Sequence, residues 1–148
     1  MRQLNCAVVV VAALVGGACD ERLRDVAGPS PNLQPTFSSI QREIFAATDS
    51  SGRAACTQCH TNIGRTPPMG LALNEGFAHA ALVGQPSRGK PGAVLVVPGN
   101  PEASYLIHKL EGRADIIGQR MPRTSGPFLT PGQISIIRRW IELGARND

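Results

Sequence analysis

"ACTQCHTN", residues 55–62, sets Cys56, Cys59 and His60 within five consecutive positions of a 148-residue chain that has only four cysteines and three histidines. Three chemistries use such a cluster. A structural zinc site takes four ligands in a tetrahedron, and no second C-x-x-C or closely spaced histidine pair follows. A thiol-disulfide redox pair sits at a helix N-terminus in a chain of alternating strands and helices, an alternation this sequence lacks. The third chemistry uses all three residues: C-x-x-C-H is the attachment signature of c-type haem. The spacing sets the sulfurs of Cys56 and Cys59 for the two vinyl groups, one thioether each, and His60 then comes under the iron as an axial ligand. One covalent haem c is the expected cofactor.

The start of the chain agrees, because this attachment is made outside the cytoplasm. "MRQLNCAVVVVAALVGGACDERLRD" has one arginine, an apolar run from Ala7 to Val15, small residues and then charges, the pattern of an export signal. The run is too short for the roughly 20 residues a membrane-spanning helix requires. A cleaved signal over residues 1–18 is expected, with Cys6 lost. Cys19 follows the small residues as the lipid-modified cysteine of bacterial lipoproteins does, although Gly16 stands where that motif carries an aliphatic residue. Lipidation of Cys19 is expected, and ordinary cleavage after Ala18 is the alternative. The predicted location is the periplasm, with membrane contact only through that lipid.

Removing the signal removes Arg2 and leaves 14 basic and 11 acidic side chains, a mild excess. No Lys/Arg-rich run is present, so nucleic acid is not an expected partner; the charge suits docking to an acidic redox protein. Aromatic residues make up 4% of the chain, against 16 glycines and 12 prolines. Something other than aromatic packing is expected at the centre of a single modest core. Residues 19–36, with charges, prolines and no apolar period, read as a flexible tether to a domain over 37–148.

Four helices can be placed in that domain. "FSSIQREIFAAT" puts Phe37, Ile40, Ile44 and Phe45 on one face, with Ser38 and Gln41 as a capping box. "NEGFAHAALVG" has Asn74 as cap, a stripe of Phe77, Ala81 and Leu82, and Gly84 as stop, with Gly76 weakening it. "NPEASYLIHKLEG" has Asn100 as cap, Pro101 in the first turn, Leu106, Ile107 and Leu110 inward, and Gly112 as stop. "TPGQISIIRRWIELGARND" begins with a Thr130/Gln133 capping box around Pro131, turns Ile134, Ile137, Trp140 and Ile141 inward, and closes at Gly144. "AVLVVPG" can form at most a short extended segment.

In order along the chain, "IQREIF", "CTQCH", "GLAL", "LVG", "VVPGNPEASYLIHKL", "RMP" and "LTPGQISIIRRWIELGA" resemble the monohaem c-type cytochrome domains of bacterial exported proteins, over about residues 37–146. The resemblance implies an all-α fold, a small helical bundle wrapped on the haem, with the methionine of the "MP" segment, here Met121, as second axial ligand. The residues themselves leave a choice. Once Met1 is removed, Met69 in "TPPMG" and Met121 in "GQRMPRTSG" are both thioethers in irregular segments. His79 and His108 fall inside predicted helices and read as packing or surface residues, with the sixth iron position as their alternative role. Trp140 reads as core, with a propionate as alternative partner for its indole N–H. Arg120 and Arg123 flank Met121 as candidates for a propionate or a docking contact.

His60 and Met121 together would fill both axial positions of the iron, which leaves outer-sphere electron transfer. The expected function is therefore that of an electron carrier and not an enzyme. Two alternatives stand beside it: a haem enzyme or gas sensor with an open sixth site, for which His79 is the one distal candidate, and a binding or structural lipoprotein.

Overall fold

In the computed structural model, residues 28–123 and 126–148 are described. The expected signal, Cys19 and the first part of the expected tether lie outside them. The fold is all-α: four helices are present, and no strand forms among the described residues. The valine-rich segment makes only isolated bridges, Val83 with Val96, Pro86 with Val94 and Val94 with Ser104.

Helix α1 (Phe37–Ile40) continues without a break into a π turn (Gln41–Phe45). It buries Phe37, Ile40, Ile44 and Phe45, the face expected from their spacing. The cap is not the expected Ser38/Gln41 box. Thr36 Oγ1, two residues earlier, accepts from the Ser39 amide at 3.3 Å, while Gln41 is drawn into the interior and donates to the Leu73 carbonyl at 3.0 Å. Asp148 supplies two further acceptors, its Oδ1 to the Phe37 amide and its carbonyl to the Ser38 amide, each at 2.8 Å.

Packing begins before Phe37. Leu33 is fully buried, and Ser30 Oγ accepts from the Gln133 side chain at 2.9 Å. The later residues of the expected tether thus belong to the domain; a single leucine among prolines carries no period by which to recognise it.

Helix α2 (Ala78–Leu82) is short because Gly76 holds φ +79 just ahead of it. Asn74 does not cap it by its side chain; its carbonyl accepts from the Phe77 and Ala78 amides at 3.1 and 3.0 Å. The later start moves the buried face to Ala78 and Leu82, and Phe77, expected inside, is 55% exposed. Helix α3 (Tyr105–Glu111) also starts later than its punctuation suggested: Asn100 Oδ1 caps the preceding turn through the Ala103 amide at 3.0 Å. Gly112, at φ +72, ends the helix as expected.

Helix α4 (Pro131–Glu142) follows its sequence closely. Thr130 Oγ1 accepts from the Gln133 amide at 3.2 Å and Gln133 Oε1 from the Thr130 amide at 2.9 Å, both halves of the capping box. Its inner face meets α1, where the Trp140 and Phe37 rings lie 5.5 Å apart. The Trp140 indole N–H donates to the Arg146 carbonyl at 2.8 Å, so its partner is backbone.

Under the π turn lies a buried ion pair that sequence periodicity did not reveal. Arg53 and Asp49 have side chains 0% and 3% exposed, with Nε 3.0 Å from Oδ2. The remaining Arg53 donors reach the carbonyls of Glu43, Ile44, Ala47 and Ala54 at 2.9 to 3.3 Å. Asp49 also accepts from Ser51 and from Gln133. A buried charge pair is tolerable only when its remaining hydrogen-bonding capacity is met, and here it is.

Candidate functional site

The C-x-x-C-H segment folds as a single tight turn. A 3-10 turn spans Cys56–Gln58, and the Cys56 carbonyl accepts from the amides of Cys59 and His60 at 3.2 and 2.9 Å. The turn brings Cys56, Cys59 and His60 together. Both thiols are free, Cys56 half-buried against the core and Cys59 exposed. Cys56 Sγ lies 3.5 Å from the Ile44 carbonyl, which the π turn leaves available. Burial pushes the Cys56 thiol up to about 11, against a smaller opposing pull from Arg53.

His60 is positioned from two directions. Its Nδ1 lies 3.2 Å from the Leu71 carbonyl, and its own carbonyl accepts from the Leu73 amide at 2.8 Å. Gln41, reaching from the π turn, holds Leu73 in turn. Asn74, freed from capping, donates to Thr61 Oγ1 at 2.8 Å and accepts from the Asn62 amide at 3.1 Å, fixing the residues after the histidine. With Nδ1–H given to Leu71, Nε2 is the ring nitrogen left as a lone-pair donor. Burial lowers the His60 pKa, with the Leu71 carbonyl opposing, so the neutral, metal-ligating form is favoured.

His60 lines a cavity of about 680 Å³. Leu71, Leu95, Leu106 and Ile117 supply apolar wall, and Met69 and Met121 both face into it. The two methionines differ in support. Met121 packs against the core, and its amide donates to the Lys109 carbonyl of α3 at 2.9 Å. Met69 is 65% exposed, on a 3-10 turn (Pro68–Gly70) where it holds a left-handed φ of +52. The Met121 loop is tied further by Lys109, whose Nζ donates to the Ile117 and Gln119 carbonyls, and by Arg120, whose Nε donates to the Leu110 carbonyl at 2.7 Å.

No protein-family model, curated protein or solved structure matches the chain.

The remaining candidates separate clearly. His79 is away from the cavity walls: its Nε2 lies 2.8 Å from the Ala145 carbonyl and its ring 5.0 Å from that of Phe37. His108 is also outside, between Asp115 Oδ2 at 2.8 Å and the Glu102 carbonyl at 2.7 Å. Arg120 stacks on Phe128 with Cζ 4.2 Å from the ring centroid, so its guanidinium is occupied within the fold. Arg123 lines the cavity. Sequence reasoning missed Arg88, Lys109 and Gln41. Arg88 and Lys109 are ordinary charges in the sequence and acquire a position only because a turn carries Arg88 and helix α3 carries Lys109 to the wall.

Proposed function

We propose that the chain is an exported electron carrier holding one haem c in this cavity, with Cys56 and Cys59 as thioether attachments and His60 and Met121 as axial ligands. The observation that carries the reading is that His60, fixed through Nδ1, and Met121, fixed through its amide, line the same apolar cavity, while the free thiols of Cys56 and Cys59, which are not among its lining residues, share the tight turn that carries His60. The residues fit the group: a cavity of this size lies within the roughly 300–1,000 Å³ of cofactor sites. When bound, a haem with nitrogen and thioether axial ligands supplies a one-electron ferrous–ferric couple. His60 presents a neutral imidazole, Met121 a soft sulfur that favours the ferrous state, and the leucine and isoleucine walls keep water from the iron. The resemblance to monohaem cytochrome domains supports the same assignment. Docking to an acidic redox protein and a lipid anchor on Cys19 complete the proposal.

The open-site haem enzyme or sensor draws no support from His79, the distal residue it requires, because that ring is held at the α1–α4 contact. Spectra of protein matured with cytochrome c assembly factors, reduced and oxidised, with and without carbon monoxide, test the function. A c-type spectrum with no carbon monoxide shift is expected; ready binding of carbon monoxide by the ferrous protein would replace the carrier by the enzyme or sensor. Haem should remain on the polypeptide under denaturing electrophoresis and vanish in Cys56→Ala/Cys59→Ala.

A further inference from the structure

Two glycines in this fold hold nearly the same left-handed backbone and share a second property. Gly112 has φ +72 and Gly70 has φ +70, and at each the space a Cβ would take is filled by an arginine. At Gly112 the occupant is Arg120, whose Cδ would lie 2.8 Å from a Cβ there. Its guanidinium is used inside the protein, by the Leu110 carbonyl and the Phe128 ring. At Gly70 the occupant is Arg88: a Cβ would collide with Nη1 and come within 3.0 Å of Cζ. Here it is the guanidinium itself that fills the space, and among the described residues it has no hydrogen-bonded acceptor and no carboxylate partner.

The surroundings indicate what that guanidinium is for. Gly70 and Arg88 both line the cavity. The wall also holds Lys109 and Arg123 and, among the described residues, no aspartate or glutamate. Lys109 is committed to two carbonyls. The turn beneath Arg88 is firm: the Ser87 amide donates to the Ala93 carbonyl at 2.8 Å, and Ser87 Oγ accepts from the Lys90 amide at 3.1 Å. Lys90 Nζ is paired with Asp115 at 2.7 Å, which fixes the far end of the same turn. An apolar chamber with free cationic charge at an exposed margin suits a ligand with an apolar body and carboxylates at its edge. A planar guanidinium is the side chain best matched to a carboxylate.

We propose that Arg88, laid over Gly70, is the carboxylate-binding residue of the cavity and pairs with a propionate of the haem. The inference rests on the haem reading above. Gly70 serves it by leaving room for the guanidinium, so the two residues act as one device.

The test uses the matured holoprotein and resonance Raman spectroscopy, which reads the propionate-bending mode directly, together with the reduction potential. Arg88→Leu should shift the propionate band to the frequency of a weaker hydrogen bond. It should also lower the potential, because removing a nearby cation stabilises the ferric state, and leave the sulfur-to-iron charge-transfer band in place. Gly70→Ala, which displaces the guanidinium, should move the propionate band in the same direction, and should move it no further in an Arg88→Leu background. Arg88→Lys should restore most of the potential and less of the band. A propionate band unmoved by Arg88→Leu in a protein with a normal c-type spectrum overturns the Arg88 assignment alone. A wild-type protein with no covalent haem spectrum overturns both this and the carrier reading. If Gly70→Ala shifts the band equally with and without Arg88, the glycine acts by backbone strain, and the paired device is overturned.

Discussion

The cavity has two walls built on different terms. The His60 wall grows out of the core: its turn rests on a π turn, on a fully buried Arg53 and on Gln41, all interior residues. The Met121 wall is a loop suspended from α3 by the Lys109 carbonyl, the Lys109 side chain and Arg120. The first cannot move without disturbing the fold. The second is held to the fold through hydrogen bonds to one helix and the packing of Met121 itself. In a carrier, the difference would place permanence on the covalent side and adjustability on the thioether side.

The largest expected effect on the site comes from the thioether. If the proposed haem is bound, Met121→Ala should erase the weak far-red charge-transfer band of the ferric protein, lower the potential and admit carbon monoxide, because ferrous iron would lose a soft ligand. Met69→Ala should do none of this, as Met69 lies on an exposed turn without core packing. The reverse outcome would transfer the ligand to Met69 and make the less supported methionine the functional one. Neither variant should change the unfolding free energy as much as damage beneath His60.

That damage is best made at Arg53. Arg53→Met leaves Asp49 charged and without its ion-pair partner at 3% side-chain exposure. The expected loss is about 3–5 kcal/mol, measured by denaturant unfolding of the holoprotein. A loss under about 1 kcal/mol would remove the claim that this wall is founded on the buried pair.

Acid should expose the same asymmetry. Burial pushes the Asp49 carboxyl up, but hydrogen bonds from Ser51 and Gln133 and the Arg53 charge together hold it below its ordinary value. With the folded value below the unfolded one, the stabilisation is present in full above about pH 4 and declines as the pH falls below it. Asp115 and Glu102 on the surface, also lowered by their partners, act in the same window. Unfolding free energies measured from pH 6 to pH 2, a span of roughly that window, should fall less steeply in Asp49→Asn than in the wild type. An unchanged slope would assign the acid sensitivity to Asp115 and Glu102.

The sequence made the His60 wall legible in name and the Met121 wall legible in outline. Cys56, Cys59 and His60 are adjacent in the chain, so one local turn assembles them. Helix α4 was legible because Thr130, Pro131, Gln133 and its isoleucines all indicate the same boundaries. What the sequence did not show were supports that act across distance or against type. Nothing in the sequence singles out Arg53, and its burial depends on the four carbonyls of the π turn and the loop after it that accept from its guanidinium. Asn74 and Asn100 read as helix caps because their type fits that role, yet a tertiary contact recruits Asn74 to the His60 turn and Asn100 caps a local turn ahead of α3. Phe77 reads as core because it lies in an apolar stripe, and Gly76 shifts the helix start past it.

The smallest expected effect tests how the Met121 wall is held. Gly112→Ala meets two penalties: a left-handed backbone at φ +72, and a Cβ within 2.8 Å of Arg120 Cδ and 3.1 Å of Cγ. The backbone term costs about 1 kcal/mol for any residue with a Cβ. Gly84→Ala has the backbone term alone, since its φ is +70 and nothing lies within 4 Å of a Cβ there. The two variants should therefore both lose about 1 kcal/mol in unfolding, with Gly112→Ala the lower by a few tenths to about 1 kcal/mol for the displaced Arg120 and its bond to Leu110. Their spectra should differ more than their stabilities. Arg120 is joined directly to Met121, so moving it should shift the charge-transfer band in Gly112→Ala, whereas Gly84→Ala should leave that band where it is. Equal bands in the two variants would mean that Lys109, through its carbonyl and its side chain, holds the methionine without Arg120, and that Arg120 only closes α3.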